Sequence, residues 1–318
     1  MKSLWLENQQ LTFREDVPIP VPRAGEALIR VSLAGICSTD LELLRGYHPF
    51  RGIPGHEFVG VVVSSPSDKS WMGKRVVGEI NIACGECATC RAGLPRHCEQ
   101  RKTLGIHAWN GSFAENLLLP VSNLHPVPAQ LPDKLAVFSE PLAAACEILE
   151  QIHLDHQQRV LLIGAGRLGQ LVAQVLQNTG CQLDVVIRHL NQHALLARRN
   201  ITTLTEPAIG EKKYDLVVEA TGTFQGFTLA RKCVRPRGTI VLKSTYQGSQ
   251  EVNFSSIVVD ELSLVGSRCG PFEPALNLLA AGKVDPSPLI EAVYPIEQGL
   301  AAFEHAARPG VLKILLQP

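Results

Sequence analysis

Four closely spaced cysteines constrain this chain more than any other feature. Cys84, Cys87, Cys90 and Cys98 follow the pattern C-x2-C-x2-C-x7-C. The surrounding segment, NIACGECATCRAGLPRHCEQRKT, has almost no large apolar side chains, so it cannot fold by burying a core of its own. Four thiolates around one Zn²⁺ would supply the missing cross-links, because such closed tetrahedral sites contribute folding energy directly. The spacing therefore predicts a structural zinc site.

The main alternative for this segment is an iron–sulfur cluster. The bacterial ferredoxin signature has a shorter final gap and a following proline, whereas Glu99 follows the last cysteine here. The chain has nine cysteines, an odd number, and its first residues, MKSLWLENQQLTF, do not read as a secretory signal. We therefore expect reduced thiols in a cytoplasmic protein rather than disulfides.

Charge and hydropathy exclude two classes of partner. Lys and Arg number 30 and Asp and Glu number 30, for a formal net charge of zero. The basic residues form no stripe, so nucleic-acid binding is not expected. No apolar run reaches the roughly 18 to 20 residues that a membrane-spanning helix needs, so membrane insertion is not expected either.

Two patterns of apolar residues divide the 318-residue chain. Between about residues 26 and 120, short β-rich runs broken by Gly and Pro, such as GEALIRVSLAGI and HEFVGVVVSS, are typical of a barrel-like domain. After LHPVPAQLPD, apolar strands such as RVLLIG, DVVIR and YDLVVEA alternate with helical stretches such as RLGQLVAQVLQNTG. This alternation predicts a parallel sheet covered by helices on both faces. Residues from about 270 onward need not belong to that sheet.

A glycine motif follows the apolar strand RVLLIG. Gly164, Gly166 and Gly169 form G-x-G-x-x-G and open a helix. In a dinucleotide site the first glycine makes the tight turn, the second admits the pyrophosphate and the third lets helix and strand pack closely. The free N–H groups of the helix N-terminus would bind the anion.

The end of the next strand bears on the choice of dinucleotide. An NAD site places Asp or Glu there, on the ribose 2′-hydroxyl. This chain has Ile187, Arg188 and His189 instead, and Asp184 lies at the other end of the predicted strand. The positive charge of Arg188 suits a 2′-phosphate, which favours NADP(H). The alternative is that Arg188 is a solvated surface cation and that the protein uses NAD(H).

A second group of residues could hold a metal with an open coordination position. Cys37 in AGICSTD and His56 in PGHEF are each, taken alone, most simply a buried thiol and a loop histidine. Carboxylates accompany them, with Glu57 adjoining His56 and Glu140 opening SEPLAAACE. A catalytic zinc needs three protein ligands and one open position. Cys37, His56 and one carboxylate satisfy that count.

The order of the motifs carries a family resemblance. GICSTD, PGHEFVG, the four-cysteine segment, SEPL, GAGRLG and EATG resemble, in this order, the zinc-containing medium-chain dehydrogenase/reductase family of alcohol, sorbitol and threonine dehydrogenases. The resemblance covers nearly the whole chain. It implies an α/β fold that joins a Rossmann doubly wound parallel sheet to a GroES-like β-barrel. The implied catalytic domain comprises residues 1–140 and 269–318, and the implied dinucleotide-binding domain comprises residues 141–268.

The resemblance also implies roles at the open metal site. Cys37 and His56 are implied zinc ligands, and Glu140 occupies the third-ligand position. Glu57 is implied to be a nearby carboxylate or an alternate ligand that exchanges with Glu140. Thr39 stands where the family places the hydroxyl that relays the alcohol proton.

Two further features of this site concern its outer groups. Asp40 is implied to accept the second ring N–H of His56. Many relatives carry a histidine three residues after Thr39, whereas this chain has Glu42. Either Glu42 or His48 could pass the proton outward, or both could be exposed loop residues.

In the dinucleotide domain, the resemblance assigns cofactor contacts beyond the three glycines. Arg167 and Leu168 belong to the pyrophosphate turn, and Ala220, Thr221 and Gly222 close a strand beside the nicotinamide. We expect Arg188 and His189 near the adenosine ribose. Arg268 is either a cofactor contact or part of an interdomain salt bridge.

These features predict a zinc-dependent oxidoreductase that transfers a hydride between an alcohol, aldehyde or ketone and NADP(H) or NAD(H). One alternative is an NAD-linked polyol or amino-alcohol dehydrogenase. Another is a non-catalytic scaffold that senses dinucleotides. The resemblance alone supports a homodimer or homotetramer.

Overall fold

The computed structural model describes residues 1–245 and 251–318. These residues divide into two units, one formed by Met1–Glu140 and Phe272–Pro318 and the other by Pro141–Pro271. Residues 269–271, which the sequence assigned to the catalytic domain, cluster with the second unit. Gly270 explains this, because a Cβ there would lie 1.9 Å from the carbonyl oxygen of Ala143. Among the described residues, no helix is long and apolar enough to cross a membrane.

Strands and helices are numbered in chain order. The strands are β1 (Ser3–Glu7), β2 (Gln10–Arg14), β3 (Glu26–Gly35), β4 (Glu57–Ser64), β5 (Arg75–Gly78), β6 (Asn81–Ile82), β7 (Lys102–Leu104), β8 (Ala108–Trp109), β9 (Asn116–Pro120), β10 (Leu124–Pro126), β11 (Arg159–Ile163), β12 (Gln182–Val186), β13 (Thr202–Leu204), β14 (Tyr214–Glu219), β15 (Val234–Leu242), β16 (Ser263–Gly266), β17 (Ile290–Pro295) and β18 (Lys313–Gln317). The α-helices are α1 (Ser38–Leu44), α2 (Ala88–Arg91), α3 (Asp133–Ala136), α4 (Ser139–Gln151), α5 (Arg167–Gln177), α6 (Leu190–Ala197), α7 (Phe224–Cys233), α8 (Phe254–Val259), α9 (Phe272–Ala280) and α10 (Gly299–Ala306).

The first unit is built on a largely antiparallel sheet. Its strand order is β10-β5-β4-β3-β18-β17, and β9 also pairs with β3. Along β3, Ala27, Ile29, Val31 and Leu33 are buried while most residues between them are more exposed. This period of two places one face of the strand in the core. β17 and β18, from the end of the chain, join this sheet and not the sheet of the second unit.

The register of three neighbouring strands brings distant residues together. Gly35 at the end of β3 pairs with Glu57 at the start of β4, and it pairs on its other side with Leu315 of β18. Cys37 follows β3 by two residues, and His56 immediately precedes β4. The ends of these strands therefore place Cys37, His56 and Glu57 in one neighbourhood.

The second unit is a six-stranded parallel sheet in the order β13-β12-β11-β14-β15-β16. This is the strand order of a Rossmann fold. The chain adds β12 and β13 on one side of β11 and then crosses over to add β14, β15 and β16 on its other side, so the order of addition reverses between β11 and β14. The apolar strands Val160–Ile163 and Leu216–Val218 are buried, as the central strands of a sheet covered on both faces must be. Ligands of such sheets bind outside the carboxyl ends of the strands at the point of reversal.

Candidate metal centres and dinucleotide site

Cys37, His56 and Glu57 form one group of candidate metal ligands. The Cys37 thiol, an imidazole nitrogen of His56 and a carboxylate oxygen of Glu57 all lie within 4.8 Å of one another. His56 is 3% and Glu57 1% exposed, while Cys37 is half-buried. A thiolate, an imidazole and a carboxylate are ligands that Zn²⁺ accepts, and three of them leave one position open. The donor set therefore fits a catalytic zinc ion.

Asp40 links Cys37 to His56. Its Oδ2 accepts a hydrogen bond from the backbone N–H of Cys37 at 2.8 Å, and its Oδ1 lies 3.4 Å from Nδ1 of His56. Both of these last two atoms are buried, and neither forms a well-shaped hydrogen bond with the described residues. A metal bound at Nε2 would leave an N–H at Nδ1 that faces the carboxylate, which completes this pair.

The same surroundings affect the protonation of the histidine. Burial of the imidazole lowers the pKa of His56, but the Asp40 carboxylate and the Cys37 thiol outweigh burial and raise it well above its ordinary value. Thr39 lies at the first turn of α1, and its hydroxyl oxygen is 3.8 Å from the Cys37 sulfur. A hydroxyl therefore stands next to the candidate metal ligands.

Lys313 completes the buried charges of the site, and the sequence did not reveal it. Its Nζ donates to Glu57 Oε2 at 2.6 Å and lies 3.4 Å from the carbonyl oxygen of Ile36. Lys313 is 4% exposed. Gly35 leaves room for this pair, since a Cβ there would lie 2.4 Å from Glu57 Oε2. The available signal was a lysine that interrupts the apolar run of VLKILLQ.

The other residues predicted around this site lie in different settings. Glu140 lies in the first turn of α4 and is not part of the group formed by Cys37, His56 and Glu57. Glu42 pairs with Arg45 at 2.6 Å. His48 places Nδ1 2.8 Å from the carbonyl oxygen of Pro49. Glu57 is therefore the carboxylate that accompanies Cys37 and His56, while Glu42 and His48 make local contacts.

Cys84, Cys87, Cys90 and Cys98 form the second group of candidate ligands. Their sulfurs lie 3.5 Å (Cys84–Cys98), 3.9 Å (Cys87–Cys98) and 4.0 Å (Cys84–Cys90) apart. A tetrahedron with Zn–S bonds of about 2.3 Å has edges of about 3.8 Å. All four cysteines are free thiols. The geometry fits one closed zinc site.

The pKa values of the thiols in this group differ, because backbone N–H groups and neighbouring thiols act on them differently. Backbone N–H groups of Glu99 and Cys90 lower the pKa of Cys87 to about 6. Burial and the hydrogen bond with Cys87 raise the pKa of Cys90 to about 12. Such a set of thiols gives up its remaining protons when a cation neutralises the accumulating negative charge.

The glycine turn of the second unit has the shape of a pyrophosphate site. Gly164 has φ of +105°, and a Cβ there would lie 2.7 Å from the carbonyl oxygen of Ala220. A Cβ on Gly169 would lie 1.9 Å from the Gly164 carbonyl oxygen. A Cβ on Gly166 meets nothing within 4 Å, so open space lies at the N-terminus of α5, whose first residues are Arg167 and Leu168. That space fits a phosphate group.

The turn after β14 is held by a buried carboxylate. Glu219, 1% exposed, accepts hydrogen bonds from the backbone N–H and the hydroxyl of Thr221 at 2.7 and 2.5 Å. Gly222 has φ of +73°, and its N–H donates to the Ser244 hydroxyl at 2.7 Å. Ala220 donates its N–H to the Ile163 carbonyl oxygen of β11 at 2.9 Å. The predicted nicotinamide-side residues therefore form one ordered turn at the carboxyl edge of the sheet.

Arg268 follows β16 at the same edge and is exposed. Its carbonyl oxygen accepts from Lys243 Nζ at 3.0 Å, and that ammonium also donates to the Ala144 carbonyl oxygen at 2.6 Å and the Ser267 hydroxyl at 3.2 Å. Lys243 was not identified from the sequence. It fixes the main chain from which the Arg268 side chain extends.

Arg188 and His189 follow β12 and are both exposed. β12 spans Gln182–Val186, so Asp184 lies inside the strand and not at its start. The Asp184 carboxylate accepts a hydrogen bond from the Tyr214 hydroxyl at 2.8 Å. Asp184 is therefore engaged within the sheet, and Arg188 is the charged side chain after the strand.

A GroES-like sheet with a thiolate–imidazole–carboxylate group, together with a Rossmann unit, defines the class of medium-chain dehydrogenases. The family profile of the alcohol dehydrogenase GroES-like domain matches residues 23–129. The profile of the shikimate/quinate 5-dehydrogenases matches residues 146–234. Both matches agree with the division into two units.

Whole-length relatives extend this result. D-arabinitol dehydrogenase 1 of Uromyces fabae is 30% identical, covering 94% of this chain and 92% of that protein. A protein of Sinorhizobium meliloti 1021 described as a zinc-binding dehydrogenase, solved bound to NADP, superposes with a TM-score of 0.92 at 28% identity, covering 100% of this chain and 99% of that one. The alcohol dehydrogenase RspB of Escherichia coli CFT073, solved with NADH, gives a TM-score of 0.92 at 27% identity and the same coverage.

The chain belongs to the zinc-type medium-chain alcohol dehydrogenase family, and it is an oxidoreductase. The predicted fold class, a Rossmann sheet joined to a GroES-like domain, is confirmed. The dehydrogenase function predicted from the motifs is confirmed as well.

Proposed function

We propose that this dehydrogenase interconverts a small alcohol and the corresponding aldehyde or ketone, with zinc held by Cys37, His56 and a carboxylate. The observation that carries the proposal is the cluster of three ligand atoms within 4.8 Å, beside the Thr39 hydroxyl. A matching test is metal analysis of the purified protein together with turnover of a panel of alcohols. Zinc in the four-cysteine site alone, with no uptake at Cys37, would contradict the proposal.

The residues of the site have separate tasks. Zinc held by these residues would supply Lewis-acid chemistry at the substrate oxygen, and a bound nicotinamide cofactor would supply or accept the hydride. Thr39 would relay the alcohol proton, because its hydroxyl would accept that proton while it releases its own proton to solvent. Asp40 holds the His56 ring in orientation, at 3.4 Å from Nδ1. Lys313 holds one oxygen of Glu57.

The third ligand is one of two carboxylates. Glu57 lies beside Cys37 and His56, but Lys313 already occupies its Oε2 at 2.6 Å. If Glu57 stays paired with Lys313, Glu140 would be the carboxylate that completes the ligand set. Zinc content of Glu57→Gln and Glu140→Gln distinguishes them, because only removal of the true ligand releases the ion. Thiol spacing supports a second, structural zinc at Cys84, Cys87, Cys90 and Cys98.

The second unit, with the glycine turn and the strand ends, is the proposed dinucleotide site. Gly164, Gly166, Arg167, Leu168 and Gly169 would contact the pyrophosphate, whereas Ala220, Thr221, Gly222 and Arg268 would contact the nicotinamide side. The first unit, including residues 1–140, is the proposed catalytic domain. Chemical-shift or crystallographic mapping with bound cofactor tests these contacts directly.

The proposed preference is for NADP(H) over NAD(H). Its support is the exposed Arg188, with His189 beside it, where an NAD-binding site would carry a carboxylate. We expect Arg188→Ala to raise the KM for NADP⁺ about 10- to 100-fold by loss of a charge-assisted contact to phosphate, and to change the KM for NAD⁺ less than about threefold. Equal changes for both cofactors would overturn the preference. Lys212→Ala, an exposed cation elsewhere in the unit, serves as the control.

The second candidate function is an NAD-linked polyol dehydrogenase, or a similar enzyme acting on amino alcohols. The likeness to D-arabinitol dehydrogenase 1 favours it. Sugar alcohols, threonine and simple alcohols, each tested with NAD⁺ and NADP⁺, separate the two candidates. Preference for NAD⁺ with a polyol would select the second.

We also propose a cytoplasmic homodimer or homotetramer. The nine free cysteines support a reducing compartment. Among the described residues β16 is an edge strand, and it exposes Leu264 at 39%, which supports pairing of this edge with a second copy. Light scattering coupled to gel filtration measures the oligomer, and a monomer at micromolar concentration would contradict it.

A further inference from the structure

The loop after β12 is organised by one neutral side chain, Gln192. Its Oε1 accepts hydrogen bonds from the backbone N–H of Arg188 at 3.0 Å and from that of His189 at 3.2 Å. Gln192 lies in the first turn of α6 and is only 8% exposed. One buried carbonyl oxygen therefore satisfies both amides of the segment that carries the Arg188 side chain.

A second glutamine connects this loop to the glycine turn. Gln170 in α5 is 1% exposed, and its Nε2 donates to the Ala165 carbonyl oxygen at 3.1 Å. The same nitrogen makes a long contact of 3.5 Å with the backbone carbonyl oxygen of Gln192. The turn that would bind pyrophosphate and the loop that would bind the ribose are thus joined through buried amide groups.

From this arrangement we infer that Gln192 is a positioning residue that sets the choice between NADP and NAD. It fixes the main chain at Arg188 and His189, so that the guanidinium stays exposed toward the 2′-phosphate, and it does so without adding negative charge. The inference rests on the proposed NADP preference and extends it from the phosphate-binding arginine to the group that holds it in place.

The Gln192 side chain carries no charge, and this matters for binding of a 2′-phosphate. A glutamate at position 192 would accept the same two N–H groups, and a carboxylate is the stronger acceptor at a helix N-terminus. It would also bring a formal negative charge into the first turn of the helix that follows Arg188. That charge would repel a 2′-phosphate and partly neutralise the arginine, while a 2′-hydroxyl would be little affected.

The experiment compares dissociation constants of NADP⁺ and NAD⁺ for the full-length, zinc-loaded protein and its variants. We expect Gln192→Glu to weaken NADP⁺ binding about tenfold at low salt, with a smaller loss at high salt, and to change NAD⁺ binding less than about threefold. Gln182→Glu is the matched control, because it adds the same charge on an exposed residue at the opposite end of β12. We expect it to change neither constant.

Gln192→Met provides the second measurement, because it keeps the length of the side chain and removes the acceptor. We expect it to weaken NADP⁺ more than NAD⁺, because the loop loses its anchor, and Gln192→Glu decides the question if the methionine variant fails to fold. A Gln192→Glu variant that weakens both cofactors equally, or neither, would overturn the inference. If Arg188→Ala leaves the cofactor ratio unchanged, the proposed preference fails first. If Arg188→Ala collapses the ratio and Gln192→Glu does not, only the present inference fails.

Discussion

The two candidate metal-ligand groups of the first unit are assembled in opposite ways. Cys37, His56 and Glu57 come from the ends of neighbouring strands, and buried side chains of Asp40 and Lys313 surround them. The four cysteines belong to one short segment that contains the single turn of helix α2. Three of those four cysteines are half-exposed.

This difference indicates how far the geometry of each group depends on the fold and how far it depends on a bound metal. The strand register brings the first group together, so the fold itself contributes to its geometry. The four-cysteine segment has little apolar burial, and its cross-linking must come from the metal. Loss of one ion should therefore remove activity, and loss of the other should remove local structure.

The largest expected effect is that of Cys37→Ser. We expect kcat to fall about 10³-fold or more, because a metal ligand is lost, while the free energy of unfolding changes by less than about 1 kcal/mol. Steady-state kinetics, urea denaturation and elemental analysis measure the three consequences. His56→Ala should also abolish turnover, with a larger loss of stability, because it leaves the buried Asp40 carboxylate without the imidazole that faces it. Full activity in the serine variant after loss of its ion would show that turnover does not need a metal at Cys37.

Cys90→Ser tests the other group. We expect the four-cysteine segment to lose its zinc and its order, at a cost of about 4 kcal/mol to the free energy of unfolding. Limited proteolysis should cut within this segment, and the remaining folded molecules should keep kcat within about threefold. Unchanged protease resistance without zinc would show that the segment folds by itself.

Lys313→Met tests how much the buried ion pair beside the first group contributes to stability. Removing one partner of a buried ion pair leaves Glu57 uncompensated, so we expect a loss of about 3 kcal/mol in the free energy of unfolding. Lys313→Arg is the control that retains the charge. Adding Glu57→Gln to Lys313→Met should recover part of the loss. Denaturation curves that are the same for the methionine and arginine variants would exclude an energetic role for the charge pair.

The smallest expected effect concerns the link between the four-cysteine segment and the barrel. Glu79 lies 3.4 Å from Arg96 Nε and 3.2 Å from His125 Nε2. Burial raises the pKa of Glu79, but His125 and Arg96 outweigh it and hold the pKa below its ordinary value of 4.5. A lowered pKa contributes stability above the ordinary value, and this stability is lost as pH falls through the folded value.

We therefore expect Glu79→Gln to lower the free energy of unfolding by about 1 kcal/mol at pH 7. The difference between the variant and the parent protein should shrink as the pH falls below about 4.5. Denaturation at several pH values measures it. A difference that stays constant down to pH 3 would assign the effect to packing and not to charge.

The sequence was sufficient for the fold because its signals are local and ordered. The apolar run expected at 159–164 is β11, Arg159–Ile163. The helix expected to close at Gly180 ends at Gln177, because the chain turns at Gly180 with φ of +79°. Spacing alone also grouped Cys84, Cys87, Cys90 and Cys98, since their segment is short.

Other parts of the site depend on which strands become neighbours. Nothing in the spacing relates Lys313 to Glu57, which precedes it by 256 residues. Glu57 and Lys313 pair because β4, β3 and β18 are neighbours in the sheet. Neither composition nor local spacing predicts that these strands are neighbours. Gln192 looks like an ordinary helix residue until its amide is seen to hold two backbone N–H groups. Pairing between strands distant in sequence and hydrogen bonds of buried amide side chains could therefore not be predicted from the sequence.

The pairing of Glu57 with Lys313 also has a consequence for biosynthesis. The ribosome makes Glu57 256 residues before Lys313, so the carboxylate emerges before its buried cation exists. The candidate metal site around Cys37, His56 and Glu57 therefore gains its buried ion pair only after β18 has docked beside β3. Completion of this centre is therefore coupled to the docking of β18, because a nascent chain that has not yet reached Lys313 lacks the cation that pairs with Glu57 in the folded protein.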